Sequence, residues 1–160
     1  MIYYIGLGSN VGDRLQNLLN AKKGLSALGD VQKQSSVYET PAWGKTDQAS
    51  FYNAVVRLHS IHRPFRLLRK LKTLEIQGGR SFGERWGPRV IDLDILWWDG
   101  SAIHTPILTV PHPFLQERAF VLQPLAEIDP DLKLTSGLTV QAHLKRYFPQ
   151  THFVKITETW

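Results

Sequence analysis

The sequence predicts an α/β (α+β) protein: a ferredoxin-like βαββαβ core with extra C-terminal helices and strands, folded as a single domain over residues 1–160. Three observations predict it. Apolar spacing switches between strand and helix periods in the order β-α-β-β-α-β across residues 2–98. Glycine and proline stand at the switches, at Gly29, Pro41, Pro64, Gly78 and Gly79. A chain of 160 residues, 42% hydrophobic and 21% charged, has the size and composition of one ordinary globular core.

Ile2 to Leu7 is a short apolar run and predicts a buried strand, ending in a tight turn at Gly6-Leu7-Gly8. From Asp13 the spacing becomes helical, with Leu15, Leu18, Leu19, Leu25 and Leu28 on one stripe, Lys22 and Lys23 in solvent, and Gly29 as the stop. Val31 to Tyr38 is expected to be a second strand, closed by Thr40-Pro41. A loop carrying Trp43, Gly44 and Asp47 leads to a third, Phe51 to Leu58. Pro64 suits the first turn of a second helix whose inner face is Leu67, Leu68, Leu71 and Leu74, and Gly78-Gly79 end it. A loop rich in glycine and arginine precedes Val90 to Trp98, a strongly β-prone run. Beyond a turn containing Pro106, Pro111 and Pro113, helices are expected near Glu117 to Glu127 and Val140 to Tyr147.

Composition excludes several classes of function. There is no cysteine, which removes disulfide frameworks, thiolate zinc sites and a cysteine nucleophile. No apolar run approaches the roughly 20 residues of a membrane span, and Met1-Ile2-Tyr3-Tyr4 lacks a basic leader, so a soluble cytoplasmic chain is expected. The net charge of +5 suits an anionic partner such as a nucleotide, a phosphorylated metabolite or nucleic acid.

The chemistry concentrates in Arg85-Trp86-Gly87-Pro88-Arg89-Val90-Ile91-Asp92-Leu93-Asp94-Ile95. On a strand, Asp92 and Asp94 share one face while Ile91, Leu93 and Ile95 share the other. Two strand steps put the Cβ atoms of Asp92 and Asp94 about 6.6 Å apart. At an effective dielectric of about 20 they repel by roughly 2.5 kcal/mol. A solvated edge strand, or pairing with Arg85 and Arg89, is the plainer account of such a pair. Arg80, Arg85 and Arg89 on a Gly-rich loop favour the other one, a Mg²⁺-and-phosphate site for phosphoryl transfer.

Other motifs carry less. Gly6-x-Gly8 lacks the third glycine of a dinucleotide fingerprint. Gly44-Lys45-Thr46 ends like a P-loop, but Glu39 stands where glycine is required. The six histidines show no metal spacing, and His112, held rigidly between Pro111 and Pro113, suits a phosphate contact or a plain surface position equally. Trp43, Phe51, Trp86 and Phe120 can stack on a flat ligand or serve as core. No aromatic pattern of an RNA-binding sheet is present, and two acids would sit at the centre of any nucleic-acid face.

These residues together resemble the signature of the 6-hydroxymethyl-7,8-dihydropterin pyrophosphokinase family. The resemblance extends over nearly the whole chain, through Gly8-Ser9-Asn10, Gly12-Asp13-Arg14, Tyr38-x-Thr40-Pro41, Phe51-Tyr52-Asn53-Ala54-Val55, Leu108-Thr109-Val110-Pro111-His112-Pro113 and Arg118-Ala119-Phe120-Val121-Leu122-x-Pro124-Leu125. It implies a ferredoxin-like enzyme that moves the β,γ-pyrophosphoryl group of ATP to the pterin's hydroxymethyl oxygen and releases AMP, a step of tetrahydrofolate biosynthesis. Two Mg²⁺ ions are implied at Asp92 and Asp94, with ATP as co-substrate. Arg80, Arg89 and Asp92 are implied in catalysis. Thr40, Pro41, Trp43, Phe51, Asn53 and Phe120 are implied around the pterin, and Glu75, Trp86, Arg89, Ile95, Thr109, His112 and Arg118 around ATP. A monomer with no nucleic-acid or membrane partner is expected.

No general base is obvious, and either Asp92 or metal-bound solvent is expected to take the proton. The chain departs from the family at Phe82, where relatives commonly carry a second lid arginine, and at Ile107, where some place a basic residue on ATP. Both point to weaker nucleotide binding. The glycines of segment 78–88 suit a lid over ATP. The alternatives are a basic ferredoxin-like nucleic-acid-binding module and an inactive relative that keeps pterin or nucleotide binding.

Overall fold

Strands β1 (Ile2–Ser9), β2 (Asp30–Gln34), β3 (Val37–Thr40), β4 (Phe51–His59) and β5 (Asp92–Trp98) alternate with helices α1 (Arg14–Ser26) and α2 (Pro64–Gln77), giving the predicted order. The computed structural model describes residues 1–44, 46–79 and 87–160. A two-stranded ribbon, β6 (Ile103–His104) with β7 (Thr109–Val110), follows β5. The chain continues through a 3-10 turn (Leu115–Glu117), α3 (Ala119–Ile128), α4 (Val140–Tyr147) and β8 (Val154–Thr157). The sheet runs β5-β1-β4-β3-β8, with β2 also on β4, and these pairings are antiparallel. Placing the last core strand, β5, beside β1 is the ferredoxin-like crossover.

The strand expected over Val31 to Tyr38 is broken in two at Ser35 and Ser36, though both halves run along β4. Ser35 takes part in the ladder through its hydroxyl, which accepts the Val55 N–H at 2.9 Å. The Ser36 N–H and hydroxyl both donate to Glu127 of α3, at 2.9 and 2.7 Å. A carboxylate therefore substitutes for one step of strand pairing. Asp13 caps α1 by accepting the Gln16 N–H at 3.0 Å, and Pro64 starts α2 as expected. Lys22 departs from expectation: it is half-buried, donates to Gln34 at 2.9 Å and lies 4.8 Å from the Trp160 ring centroid.

Strand alternation sorts the core into two layers. Tyr3, Ile5 and Leu7, with Val56, Leu58, Leu93 and Ile95, meet Leu18, Leu25, Leu67 and Leu71 of α1 and α2. On the opposite face Tyr4, Val55 and Leu96 meet Val121, Leu122 and Leu125 of α3. Each such buried aliphatic side chain contributes about 1.5–3 kcal/mol. The helix covering the second face leaves part of it open, and the candidate site residues lie there. No described helix is long and apolar enough to cross a membrane.

Candidate active site

The floor of the site is two glycines. Across the sheet, Gly8 pairs with Asp92 on one side and Asn53 on the other, while Gly6 pairs with Asp94 and Val55. Gly6 and Gly8 lie within β1 rather than in the expected turn, and the missing side chains open a cavity of about 260 Å³. A Cβ on Gly8 would stand 3.0 Å from Asn53 Oδ1, so the carboxamide oxygen overhangs the floor. With strands about 4.8 Å apart, the Asp92 and Asn53 backbones are about 10 Å apart, one ligand width.

The two walls differ in chemistry. On the Asn53 side, Asn53 Nδ2 donates to the buried Thr40 Oγ1 at 2.7 Å, which orients the carboxamide oxygen into the cavity. Pro41, Phe51, Trp43, Phe114 and Phe120 complete this side, with Trp43 5.6 Å from Phe114 and 6.4 Å from Phe120 between ring centroids. On the Asp92 side are Arg89, Asp92, Asp94, His112 and Arg118. Arg89 Nη1 pairs with Asp92 Oδ1 at 2.6 Å. Arg118 is buried, its guanidinium 4.7 Å from the Trp43 ring centroid, and so joins the aromatic wall to the charged one.

Burial, reinforced by the charge of Asp92, pushes the Asp94 carboxyl up to about 6. Burial and the neighbouring Arg118 pull His112 down to about 4. His112 Nδ1 accepts the Phe114 N–H at 3.1 Å, so the neutral ring carries its proton on Nε2. The Arg118 guanidinium is lowered by burial, against the pull of Asp94 and Asp92.

A second cavity of about 250 Å³ adjoins the first, and Asp94 and His112 wall both. Its remaining walls include Leu68, Lys72, Ile95, Ile107 and Thr109. Ile107, a departure from the family pattern, is 74% exposed at its rim. Among the described residues no cluster of three or more acidic or histidine side chains could hold a metal alone. The Asp92–Asp94 pair fits a hard cation whose remaining ligands are phosphate oxygens and water.

Most of the expected residues converge here. Thr40, Pro41, Trp43, Phe51, Asn53 and Phe120 line one end of the first cavity, and Arg89, Asp92, Asp94, His112 and Arg118 the other. Ile95 and Thr109 line the second. Glu75 lines neither: it is 1% exposed beneath β5. Arg80, Phe82, Arg85 and Trp86, the core of the expected lid, and Lys45 of the P-loop mimic, lie outside the described residues. Gly6, Gln48 and Phe114 also line the cavity without a signal in the sequence that places them there, and Gly8, which falls within the family resemblance, lines it too. Asn10, which falls within the family resemblance, ties its two sides together. It accepts the Arg89 N–H at 2.8 Å, and its Nδ2 donates to Gln48 Oε1 at 3.0 Å and the Ala49 carbonyl at 3.1 Å.

Comparison with known proteins gives a consistent result. The profile described as 7,8-dihydro-6-hydroxymethylpterin-pyrophosphokinase (HPPK) matches residues 4–130. The 2-amino-4-hydroxy-6-hydroxymethyldihydropteridine pyrophosphokinase of Methylorubrum extorquens is 44% identical over 148 residues, 91% of this chain and 93% of its own. The enzyme of the same name from Aquifex aeolicus is 45% identical over 129 residues, 81% of each. The crystal structure of Plasmodium falciparum HPPK-DHPS with pteroate superposes with a TM-score of 0.73 at 18% identity, a likeness of fold, covering 92% of this chain. This chain spans only 42% of that longer protein.

Proposed function

The chain belongs to the 7,8-dihydro-6-hydroxymethylpterin-pyrophosphokinase family, and from that premise we propose how its own residues perform the transfer. The reaction passes the pyrophosphoryl group of ATP to the hydroxymethyl group of 6-hydroxymethyl-7,8-dihydropterin, in folate biosynthesis. The hydroxymethyl oxygen bonds to the β-phosphorus, the bond from that phosphorus to the α,β-bridging oxygen breaks, and AMP leaves. The observation that carries the reading is the shared wall. Asp94 and His112 belong to both cavities, so a nucleotide in the second brings its phosphates to the charged end of the first.

In this reading the pterin lies flat on Gly6 and Gly8 between Phe51, Phe120 and Trp43. Its ring N–H groups donate to Asn53 Oδ1, which the bond to Thr40 holds in place. Thr40 and Pro41 close that end. Leu68, Ile95 and Thr109 enclose the base and ribose of ATP, and neutral His112 donates from Nε2 to a phosphate oxygen. Arg89 and Arg118 neutralise phosphate charge. Asp92 and Asp94 would hold two Mg²⁺ ions, which would supply neutralisation of the charge on the transferred group. The alcohol proton passes to Asp92 or to solvent.

Release of AMP from ATP and Mg²⁺, measured with and without the pterin, tests this. AMP should depend on the pterin and disappear in Asp92→Ala/Asp94→Ala. ADP instead would mean that the γ-phosphorus is attacked. Full turnover and Mg²⁺ binding in Asp92→Asn would remove Asp92 as the proton acceptor.

A further inference from the structure

We propose that Glu75, together with Lys72, is a positioning residue for the aspartate pair: the two side chains fix the backbone of Leu93, the residue between Asp92 and Asp94. The proposal rests on the reading of Asp92 and Asp94 as the charged centre of the transfer site. It differs from the role in the nucleotide site that family resemblance implies for Glu75.

Among the described residues β5 is an edge strand, paired only through β1. The N–H and C=O of one strand residue point to the same side, and successive residues point to opposite sides. Leu93 therefore turns both groups to the open edge, where water would ordinarily meet them. In this protein α2 meets them instead. Glu75 Oε1 accepts the Leu93 N–H at 2.7 Å, and Lys72 Nζ donates to the Leu93 carbonyl at 3.2 Å. The two side chains also pair with each other, Nζ to Oε1 at 2.8 Å. One residue of a strand edge is thus held at both backbone polar groups by a single turn of helix.

The arrangement exceeds what stability needs. Glu75 shares the buried face of α2 with Leu67 and Leu71, and a buried carboxylate is costly to desolvate even when paired. An apolar residue with a water on the strand edge would fold as well. What the carboxylate adds is rigidity where it matters. Asp92 and Asp94 repel each other, and a free strand edge would relieve that repulsion by twisting or pulling away from β1. Pinning Leu93 from behind opposes both motions and keeps the two carboxylates on one face over Gly6 and Gly8. Lys72 also reaches the wall of the second cavity, so the clamp on the aspartates borders the nucleotide's own enclosure.

Glu75→Ala and Glu75→Gln, read beside the wild-type enzyme, test the proposal. The measurements are amide exchange at Leu93, Mn²⁺ binding in the presence of a non-hydrolysable ATP analogue, pterin affinity by fluorescence, and kcat and KM from AMP release. Glu75→Ala should speed Leu93 exchange, weaken Mn²⁺ binding about tenfold or more, and lower kcat by a larger factor than it raises either KM. Pterin affinity should hold. Glu75→Gln keeps an acceptor for the Leu93 N–H and should recover most of each loss. Unchanged Leu93 exchange with a raised KM for ATP would overturn the proposal and return Glu75 to the nucleotide. Equal losses of pterin and metal affinity would make it general support. Should Glu75→Ala fail to fold, the wild type decides: a Leu93 amide that exchanges as fast as an open edge amide ends the proposal. Failure of the underlying reading looks different, since Mn²⁺ binding would then survive Asp92→Ala/Asp94→Ala.

Discussion

Gly8 occupies a register position between an aspartate and an asparagine, and its missing side chain leaves the space over the strand that the proposed pterin position uses. Its backbone is not in the left-handed region, so alanine is conformationally permitted there. The new Cβ would nevertheless sit 3.0 Å from Asn53 Oδ1 and 3.7 Å from the Phe51 ring. Gly8→Ala should therefore weaken pterin binding about tenfold, near 1.4 kcal/mol. Stability should change by no more than about 1 kcal/mol, because the freedom lost by the unfolded chain offsets the few tenths of an ångström that the Asn53 carboxamide must give. Pterin titration beside thermal unfolding separates the two effects; a loss of stability matching the loss of affinity would refute the floor role. The aspartates are legible in the sequence because strand alternation puts residues 92 and 94 on one face whatever the rest of the fold does. The glycines are not, since a residue that acts by lacking a side chain leaves no periodic signal, and Gly-x-Gly suggests a turn. Gln48 and Phe114 are hidden for another reason: loop positions have no period, and only the closed fold brings them to β1.

At the scale of elements, the core strands and the first two helices are readable because each carries an uninterrupted apolar pattern and a boundary residue. The position of β8 is not readable, although extra strands are expected in that third of the chain. Four residues, Val154-Lys155-Ile156-Thr157, are too few to show a period, and their partner β3 lies more than a hundred residues earlier. Beyond β8, Trp160 bears on the first layer. Its indole N–H donates to the Ser35 carbonyl at 2.7 Å, its own carbonyl accepts from Gln34 Nε2 at 3.2 Å, and Lys22 stands over its ring. The tryptophan therefore covers the place where β2 gives way to β3. Trp160→Ala should cost about 2 kcal/mol, less than a fully buried tryptophan because the ring is half-exposed. Turnover at saturating substrate should stay within a factor of about two, since the ring packs against the helix-covered layer rather than the open face. Urea unfolding and AMP release measured on one preparation check this; a large fall in kcat at unchanged stability would show that the segment reaches the site.

For the molecule as a whole, one face of the sheet serves folding and the other divides its duties between α3 and the substrates. That division predicts an opposition between stability and activity in the ligand-free protein. Asp94, raised to about 6, binds its proton more tightly folded than unfolded. Its contribution is therefore complete below an unfolded value near 3.8 and is lost as the pH rises through about 6. His112 acts in the opposite sense: lowered to about 4, it favours the fold above an unfolded value near 6.5 and loses that contribution as the pH falls toward 4. Asp94→Asn should thus be more stable than the wild type at pH 7 by about 3 kcal/mol, with most of the difference gone near pH 4 and Mg²⁺-dependent turnover lost. Urea midpoints across pH 4 to 8, without metal or substrate, measure this; equal midpoints at every pH would count against it. The floor of the cavity has a consequence of another kind. Its surface is main chain, which every substitution retains, and a larger residue at Gly6 or Gly8 crowds the substrate as much as any competitor. An inhibitor that takes its grip from those two glycines leaves little room for resistance to arise where it binds, because the change that expels the drug also expels the pterin.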